Sequence, residues 1–292
     1  MRYHGTVIRP PSEADSLILQ VTYGCSHGAC DFCGTYLDKP FRARPFAQIV
    51  EDVTGLPAHA KAAVNRVFLA DGDAVILPQR RLLEILELLY RELPHVERVS
   101  AYATAQALLR KEVGQLAALR DQGLSLLYLG LESGDDGTLA AYNKGVTGSQ
   151  QIEACDRAHA AGLALSLTTI LGMAGERRSL EHARATGAAL SRIDPAFIGV
   201  LSLMVVDGTP LAHRVRQGVF AVPGPWVMLR ELRELIATIE VSGALFRSNH
   251  ASNYLPVGGR LPEDKGRMLA ALDGALKTPQ MVSLRPESWR AL

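Results

Sequence analysis

The sequence predicts an α/β fold, a partial (β/α)6 TIM-type barrel with a C-terminal helical and loop extension. Continuous apolar runs of strand length recur along the first two thirds of the chain, and segments with helical periodicity lie between them. Parallel strands need a crossover connection, which helices provide, so this alternation indicates a parallel sheet. We expect residues 1–222 to form the barrel and residues 223–292 to form an extension that packs on it and lines its pocket.

Each predicted strand is an apolar run that ends close to a glycine or a polar residue. The strands are predicted over residues 17–23, 66–71, 96–104, 124–132, 163–172 and 196–206. Helices are predicted between them over 46–55, 78–93, 106–121, 148–162 and 178–191. The helix over 78–93 has the clearest pattern, because a proline starts it and leucine or isoleucine recurs with helical spacing.

The alternation stops after Pro223. A long helix is predicted over 226–245, an irregular segment with the sequence FRSNHASNYLPVGGRLP follows it, and a last helix covers 262–276. The irregular segment is dense in hydrogen-bond donors and acceptors, so we expect it to fold back over the open barrel. A polar surface loop is the alternative.

Polar residues gather where the predicted strands end. Three cysteines follow the first strand, the sequence DGD (71–73) follows the second, Thr104 ends the third and the sequence ESG (132–134) ends the fourth. In a parallel α/β barrel the C-terminal strand ends form the face that carries the active site. These strand ends therefore indicate one functional site.

Composition excludes several classes of protein. The formal net charge of +1 gives no electrostatic signature of binding to nucleic acid or an anionic membrane, and whether the basic residues cluster depends on the fold. No apolar run reaches the roughly 18 residues of a membrane span, and the sequence MRYHGTVIRPPSEADS has no apolar leader segment. We expect a cytoplasmic protein whose thiols are reduced and available to metal.

Three of the four cysteines lie within nine positions, in the pattern C-x4-C-x2-C formed by Cys25, Cys30 and Cys33. Three thiolates suit a cubane iron–sulfur cluster that leaves one iron for an exogenous ligand. Structural zinc needs a fourth ligand, for which His27 is badly placed and Cys155 lies in a helical segment typical of a buried residue. Zinc and a nucleophilic cysteine are the alternatives.

A three-cysteine loop after the first strand of such a barrel resembles the radical S-adenosylmethionine (SAM) superfamily. The usual spacing of that family is three residues and then two, and this chain has one more residue in the first gap. The resemblance covers roughly residues 15–206, and the segment LGLESGDDGTLAAYNKGVT resembles the oxygen-independent coproporphyrinogen oxidase branch. It implies a [4Fe–4S] cluster on Cys25, Cys30 and Cys33, with SAM on the open iron.

The resemblance also implies which residues contact SAM. The backbone of Phe32 would meet the adenine, and Asp71, Gly72 and Asp73 take the place of the turn that holds the methionine amino group. Glu132 would contact the nucleoside and Lys144 the methionine carboxylate, unless Lys144 is simply solvated. Further candidates, chosen only because they lie at strand ends and open to a packing or turn role instead, are Tyr102, Thr104, Ser166 and Thr168.

The implied reaction is reductive cleavage of SAM to a 5′-deoxyadenosyl radical that abstracts hydrogen from a small-molecule substrate. An electron donor such as flavodoxin or ferredoxin would be a partner. His250 and Tyr254 are candidate catalytic groups, and the candidate substrate contacts are Arg247, Asn249, Ser252 and Asn253. The alternatives are transfer of an aminocarboxypropyl group through a different C–S bond, and a non-catalytic cluster or zinc protein with a structural or redox-sensing role.

Overall fold

A computed structural model describes residues 1–291. The strands are β1 (Leu17–Gln20), β2 (Thr22–Tyr23), β3 (Arg42–Ala43), β4 (Arg66–Ala70), β5 (Arg98–Ala103), β6 (Leu124–Glu132), β7 (Ala164–Leu171), β8 (Phe197–Ser202), β9 (Ala244–Ser248) and β10 (Val257–Leu261). The helices are α1 (Phe46–Thr54), α2 (Ala58–Ala62), α3 (Gln79–Glu92), α4 (Ala105–Leu109), α5 (Val113–Asp121), α6 (Asp136–Ala141), α7 (Gly148–Ala160), α8 (Ser179–Ile193), α9 (Pro210–Arg216), α10 (Pro225–Thr238) and α11 (Lys265–Lys277).

Eight strands form one sheet in the order β1-β4-β5-β6-β7-β8-β9-β10. β1, β4, β5 and β6 pair in parallel, as do β7, β8 and β9, and β10 is antiparallel to β9. Helices follow the parallel strands, as the alternation of apolar runs and helical segments predicts. The prediction of a partial TIM-type α/β fold is confirmed.

The chain forms two compact units that alternate along the sequence. The first contains Met1–Gly28, Thr35–Leu129 and Glu153–Leu165. The second contains Ala29–Gly34, Gly130–Ile152 and the part of the chain from Ser166 to residue 291. The boundary expected after residue 222 stays a prediction.

A short 3₁₀ turn, Pro11–Glu13, is fixed inside the first unit by its carboxylate. Glu13 is fully buried and accepts hydrogen bonds from Arg98 Nη2 at 2.7 Å and from Tyr128 Oη at 2.6 Å. Because a buried carboxylate is costly unless it is paired and hydrogen-bonded, these partners hold the turn in place. Arg98 opens β5, so the turn lies against the N-terminal end of that strand.

Asp52 on α1 pairs with two arginines in the first unit. Arg44 Nη2 and Arg2 Nε donate to its carboxylate, the latter at 2.8 Å, and the side chains of Asp52 and Arg44 are 5% and 1% exposed. Burial raises the pKa of Asp52, but the hydrogen bonds from Arg44 and Arg2 outweigh it and lower the pKa to about 2. The difference from the ordinary value of 3.8 corresponds to about 2 kcal/mol of stability.

Asp52→Asn is expected to lower the free energy of unfolding by about 2 kcal/mol at pH 7, measured by urea denaturation. A carboxyl with a depressed folded pKa stabilises above its ordinary pKa, and this contribution is lost as pH falls from about 4 to about 2. The gap between wild type and variant should therefore close near pH 2. Glu51→Gln removes an exposed partner of Arg2 and should cost under about 0.5 kcal/mol. A gap that is the same at both pH values would contradict the prediction.

The loop after β7 is anchored to α10 in the second unit. Glu231 is fully buried and accepts from the Gly172 N–H at 2.9 Å and from Ser179 Oγ at 2.6 Å, the first bond at Oε1 and the second at Oε2, and His182 Nδ1 lies 2.8 Å from Oε1. One glutamate thus ties the start of α8 and the loop to α10. α8 and α10 pack on each other, and α11 packs on α10. These helices cover one face of the C-terminal strands.

The helix predicted over 226–245 is wrong in its second half. α10 ends at Thr238, and residues 244–248 form β9, which pairs in parallel with β8 through Phe197↔Leu245 and Gly199↔Arg247. The segment predicted as irregular contains β10, so the two strands form a hairpin. Apolar residues at 239, 241 and 244–246 satisfy a helical pattern as well as a strand pattern, and only tertiary pairing decides between them.

No helix among residues 1–291 is both long enough and apolar enough to span a membrane.

Candidate functional site

The three-cysteine loop follows β2. Cys25, Cys30 and Cys33 are all half-buried, and the Cys33 N–H donates to the Cys30 carbonyl at 3.1 Å, which closes a tight turn around the last two thiols. The described residues contain no group of three His, Cys, Asp or Glu side chains arranged to hold a single metal ion. Ligation by the three cysteines is therefore a proposal, supported by the chemistry of three accessible thiols on one short loop.

In the first unit, Asp71 joins the end of β4 to the residue before Cys25. Its Oδ2 accepts from the Gly24 N–H at 3.2 Å, from Gln20 Nε2 at 2.8 Å and from Lys39 Nζ at 3.1 Å. Gly72 N–H donates back to the Gly24 carbonyl at 3.1 Å. Asp71 is fully buried, and its Oδ1 has no hydrogen-bond partner within residues 1–291. A contact of Asp71 with SAM stays a prediction.

Asp73, in the same turn, hydrogen-bonds to Ser26 and Thr104. It is buried and accepts from Ser26 Oγ and from Thr104 Oγ1, the latter at 2.9 Å, and the Thr104 N–H donates to its other oxygen at 3.3 Å. Burial raises the pKa of Asp73, and these hydrogen bonds only partly oppose it. Asp73 and Thr104 therefore brace the residue after Cys25, and a direct contact of either with SAM stays a prediction.

Gly72 in this turn and Tyr102 on β5 each pack against an aromatic ring. A Cβ at Gly72 would lie 2.5 Å from the ring of Tyr36, so the ring packs on the bare backbone. Tyr102 is half-buried and packs edge-to-face on Phe68, with ring centroids 4.9 Å apart. Burial raises the pKa of Tyr102, so its phenol stays protonated. A SAM contact of Gly72 or Tyr102 stays a prediction.

In the second unit, Glu132 and Lys144 form an ion pair at the end of β6. Lys144 Nζ lies 3.1 Å from Glu132 Oε1, and the two side chains are 14% and 13% exposed. Glu132 has a φ of 61°, a left-handed conformation that costs a residue with a side chain about 1–2 kcal/mol. Its carboxylate folds back over Gly130, where a Cβ would lie 2.0 Å from Oε1. The strained backbone directs the carboxylate towards Lys144.

The last part of the cysteine loop is bound to the turn that carries Lys144. Asn143 Nδ2 donates to Asp31 Oδ1 at 2.7 Å, and the Asp31 N–H donates to the Tyr142 carbonyl at 3.0 Å. The rings of Phe32 and Tyr142 meet edge-to-face with centroids 6.0 Å apart. Residues 29–34 therefore lie on the same hydrogen-bonded frame as Lys144. We call these contacts the Asp31 clamp.

Arg214 completes the Asp31 clamp from α9. Its Nη1 donates to the Ala141 carbonyl at 2.8 Å, its guanidinium stacks 4.7 Å above the Tyr142 ring, and its Nη2 lies 3.6 Å from Asp31 Oδ2. The Leu211 N–H also donates to the Asp31 carbonyl at 3.0 Å. Three segments distant in the sequence thus meet at one aspartate between Cys30 and Cys33.

On β7, the two predicted residues lie on the accessible face of the strand. Ser166 and Thr168 are half-buried and alternate with Leu165, Leu167 and Thr169, which are buried. No hydrogen bond of either hydroxyl occurs in the described part of the chain. Both hydroxyls are available to a ligand, and their contact with SAM stays a prediction.

The segment 247–254 contains residues of two kinds. Ser252 and Asn253 are buried and extend the end of β8, because Ser252 Oγ accepts from the Ser202 N–H at 3.1 Å and Asn253 Nδ2 donates to the Val200 carbonyl at 2.7 Å. Arg247 and Asn249 are exposed. Within residues 1–291 the side chains of Arg247 and Asn249 make no hydrogen bond, whereas a substrate contact of Ser252 or Asn253 would require their present hydrogen bonds to break.

His250 and Tyr254 both make hydrogen bonds within the protein. The Ser252 N–H donates to His250 Nδ1 at 3.1 Å, so Nδ1 is an acceptor and the neutral ring carries its proton on Nε2. Burial, together with the charge of Arg285, lowers the pKa of His250. The Tyr254 hydroxyl donates to Glu287 at 2.7 Å and accepts from Arg290 at 2.6 Å, and burial and the Glu287 bond raise its pKa to about 12. Catalytic roles for both stay predictions.

Two arginines from the C-terminal tail hold this segment through its main chain. Arg285 Nη1 donates at 2.8 Å to the carbonyls of His250, Ala251 and Asn253, and Arg290 Nε donates to the Ser252 carbonyl at 2.6 Å. Sequence reasoning missed both arginines, together with Asp31, Gly24 and Lys39. No local pattern marks them, because each acts through residues far away in the sequence.

The model of the radical SAM superfamily matches residues 19–185. This chain belongs to the radical SAM superfamily. The match contains the three cysteines and every predicted SAM contact. Membership confirms the resemblance found in the sequence.

The chain is similar to two known proteins at low identity. It is 26% identical over 175 residues to an uncharacterized protein of Methanopyrus kandleri, which covers 56% of this chain and 32% of that protein. It is 26% identical over 229 residues to the tRNA-2-methylthio-N(6)-dimethylallyladenosine synthase of Chromobacterium violaceum, over 71% of this chain and 50% of that one. The matches thus span a third to a half of the length of these relatives.

Among solved structures, the radical SAM enzyme coproporphyrinogen III oxidase from Escherichia coli has a similar fold. The TM-score is 0.58 at 17% sequence identity, over 76% of this radical SAM protein and 51% of the oxidase. A likeness at this identity shows the fold alone.

Proposed function

We propose that the protein is a radical SAM enzyme that binds one [4Fe–4S] cluster and SAM and abstracts hydrogen from a small molecule. The observation that supports this most directly is the Asp31 clamp. It binds the segment that carries Cys30 and Cys33 to the turn that carries Lys144, within one unit. A cluster ligand loop and the proposed methionine carboxylate anchor would need such a common frame.

The residues fit these cofactors. Cys25, Cys30 and Cys33 would hold the cluster as thiolates, and the unsatisfied Oδ1 of Asp71 would accept from the methionine ammonium. The Lys144 ammonium would bind the methionine carboxylate and Glu132 the ribose hydroxyls, which is consistent with two charged groups held at a strand end. When bound, a reduced cluster with SAM supplies an organic radical that takes hydrogen from substrate.

The protein's own residues position the cysteine loop and define the protonation state of His250. Asp71 and Asp73 brace the residues on either side of Cys25 in the first unit, through Gly24 and Ser26. In the second unit, His250 is held neutral with a proton on Nε2, which would donate a hydrogen bond to a bound substrate. Electrons would come from a carrier such as flavodoxin or ferredoxin. We expect electron transfer and hydrogen abstraction to take place in the cytoplasm.

Cys155 lies outside this chemistry. It is fully buried in α7, and burial raises its pKa to about 12, so it stays a neutral thiol among apolar neighbours. It therefore provides a matched control for the three loop cysteines.

The test is anaerobic reconstitution with iron and sulfide, reduction, and incubation with SAM. We expect 5′-deoxyadenosine, together with an optical spectrum of a [4Fe–4S] cluster. Cys33→Ala should lose cluster and product, whereas Cys155→Ala should keep both. 5′-Methylthioadenosine in place of 5′-deoxyadenosine would instead indicate aminocarboxypropyl transfer. Tight binding of zinc with no bound SAM would overturn the proposal in favour of a non-catalytic metal protein.

A further inference from the structure

Four strands of the second unit place one residue each in a single row across the sheet. Thr168 on β7 pairs with Gly199 on β8, Gly199 pairs with Arg247 on β9, and Arg247 pairs with Gly258 on β10. Residues that pair across neighbouring strands share a face of the sheet. We call these four residues the Arg247 row.

The Arg247 row lies on the accessible face. Its chain neighbours Ile198 and Phe246 are 1% and 0% exposed and belong to the opposite face. A Cβ at Gly259, which is also on that face, would meet Asp264 and Arg267 at the start of α11. By contrast, Arg247 and Gly258 are exposed, and Phe197, two positions before Gly199, is 38% exposed.

The sheet surface beside Arg247 is bare because its row neighbours on both sides are glycines. A Cβ at Gly199 would have no heavy atom closer than 3.8 Å, and the nearest atoms are the Leu167 carbonyl and Thr168 Oγ1. Gly199 is therefore not required by crowding or by an unusual backbone angle. Because Gly199 has no side chain, the sheet surface between the Thr168 hydroxyl and the Arg247 guanidinium is uncovered.

Arg247 itself has no internal role. Within residues 1–291 its guanidinium makes neither an ion pair nor a hydrogen bond. A cavity of about 270 Å³ opens over the β9–β10 hairpin beside it and is also lined by Asn249, Pro256 and Gly258, whereas Gly199 borders Arg247 on the other side, outside this lining. Asn249 lies one residue past the end of β9 and lines the same cavity. The second arginine on this face, Arg260, adds positive charge opposite Leu245.

We propose that Arg247 binds an oxyanion, a carboxylate or a phosphate, of the small-molecule substrate, on the floor formed by Gly199 and Gly258. A guanidinium binds two oxygens of such a group at once, which fixes orientation as well as position. Thr168 lies two strand spacings away, about 10 Å, so the ligand is a small molecule that reaches from Arg247 towards β7. This assignment deepens the proposed function and rests on it for the identity of the ligand as substrate.

The test measures anion binding directly and needs no cluster. Phenylglyoxal labels accessible arginines, and peptide mass spectrometry follows each one in the full-length protein as isolated. We expect millimolar inorganic phosphate or glutarate to slow labelling of Arg247 by about threefold or more, because the bound anion covers the guanidinium. Protection by one probe and not the other separates phosphate from carboxylate. Arg80, which is 91% exposed on α3, should label equally throughout.

Gly199→Val provides the decisive variant. Its Cβ has space, and valine suits a strand, so the thermal midpoint should not fall. The added methyl groups should occupy the sheet surface beside Arg247, so phosphate and glutarate should no longer protect Arg247 from phenylglyoxal. Without an anion, Arg247 should still be labelled in this variant. Equal labelling of Arg247 with and without both probes would overturn the proposal, as would full protection in Gly199→Val. Protection in a protein that forms no 5′-deoxyadenosine would keep the anion site and reject the proposed reaction.

Discussion

Gly24→Ala is expected to destabilise the protein by about 4 kcal/mol and to prevent stable iron loading. Gly24 directly precedes Cys25 and has a φ of +68°, and a Cβ there would lie 2.2 Å from the main-chain carbonyl oxygen of Lys39. The left-handed conformation costs about 1–2 kcal/mol with a side chain, and the overlap with a carbonyl cannot be relieved by rotating a side chain. The backbone must shift, and the bonds of Gly24 to Asp71 and Gly72 would break with it.

Gly218→Ala is the matched control. Gly218 has nearly the same φ, +71°, but a Cβ there would meet no atom within 4 Å. Gly218→Ala should lower the free energy of unfolding only by the cost of placing a side chain in the left-handed conformation, about 1–2 kcal/mol. Urea denaturation measures the free energy of unfolding, and iron analysis after reconstitution measures loading. Equal destabilisation by the two variants would show that the contact with Lys39 is unimportant.

Lys144→Gln is expected to weaken SAM binding about 10- to 100-fold in the reconstituted protein, measured by equilibrium dialysis. Glutamine keeps much of the side chain but removes the charge, and a hydrogen bond to a charged group contributes about 1.5–3 kcal/mol. Iron content should not change, because Lys144 is not a proposed ligand. An affinity within about twofold of wild type would reject Lys144 as the carboxylate anchor.

Gly130→Ala tests the same pair without touching either charge. Its Cβ would lie 2.0 Å from Glu132 Oε1 and 3.2 Å from Lys144 Nζ, so the carboxylate must leave its place. We expect weaker SAM binding, in the same direction as Lys144→Gln. Gly114→Ala, where a Cβ meets nothing within 4 Å, should leave the affinity unchanged.

The sequence was sufficient to predict the six parallel strands because both of their faces are covered. Such strands are continuous apolar runs, and LSLLYLGLE becomes β6 over its whole length. The hairpin of β9 and β10 was not predictable in this way. Its residues follow a helix closely, and β9 is defined by pairing with β8, which no local pattern encodes.

The features of the site likewise divide into those with a local sequence signal and those that depend on contacts between distant residues. Cysteine spacing is a local signal, so the loop and its family could be identified from the sequence, as the match over residues 19–185 confirms. The Asp31 clamp joins residues 112 positions apart, and the bond between Gln20 and Asp71 spans 51 positions. Contacts of this length depend on the completed fold. The roles of individual SAM and substrate residues therefore stay predictions until a ligand complex is measured.

The anchoring of residues 250–253 by Arg285 and Arg290 has a consequence for evolvability. Both arginines bind carbonyl oxygens, which every amino acid possesses, so this anchoring does not depend on side-chain identity, and of these residues only Ser252 and Asn253 also bind β8 through their side chains. Positions such as Asn249 and Ala251 can then diversify without loss of the scaffold. A library randomised at these two positions should yield mostly folded variants with altered ligand preference, which makes the loop a natural place to redirect specificity.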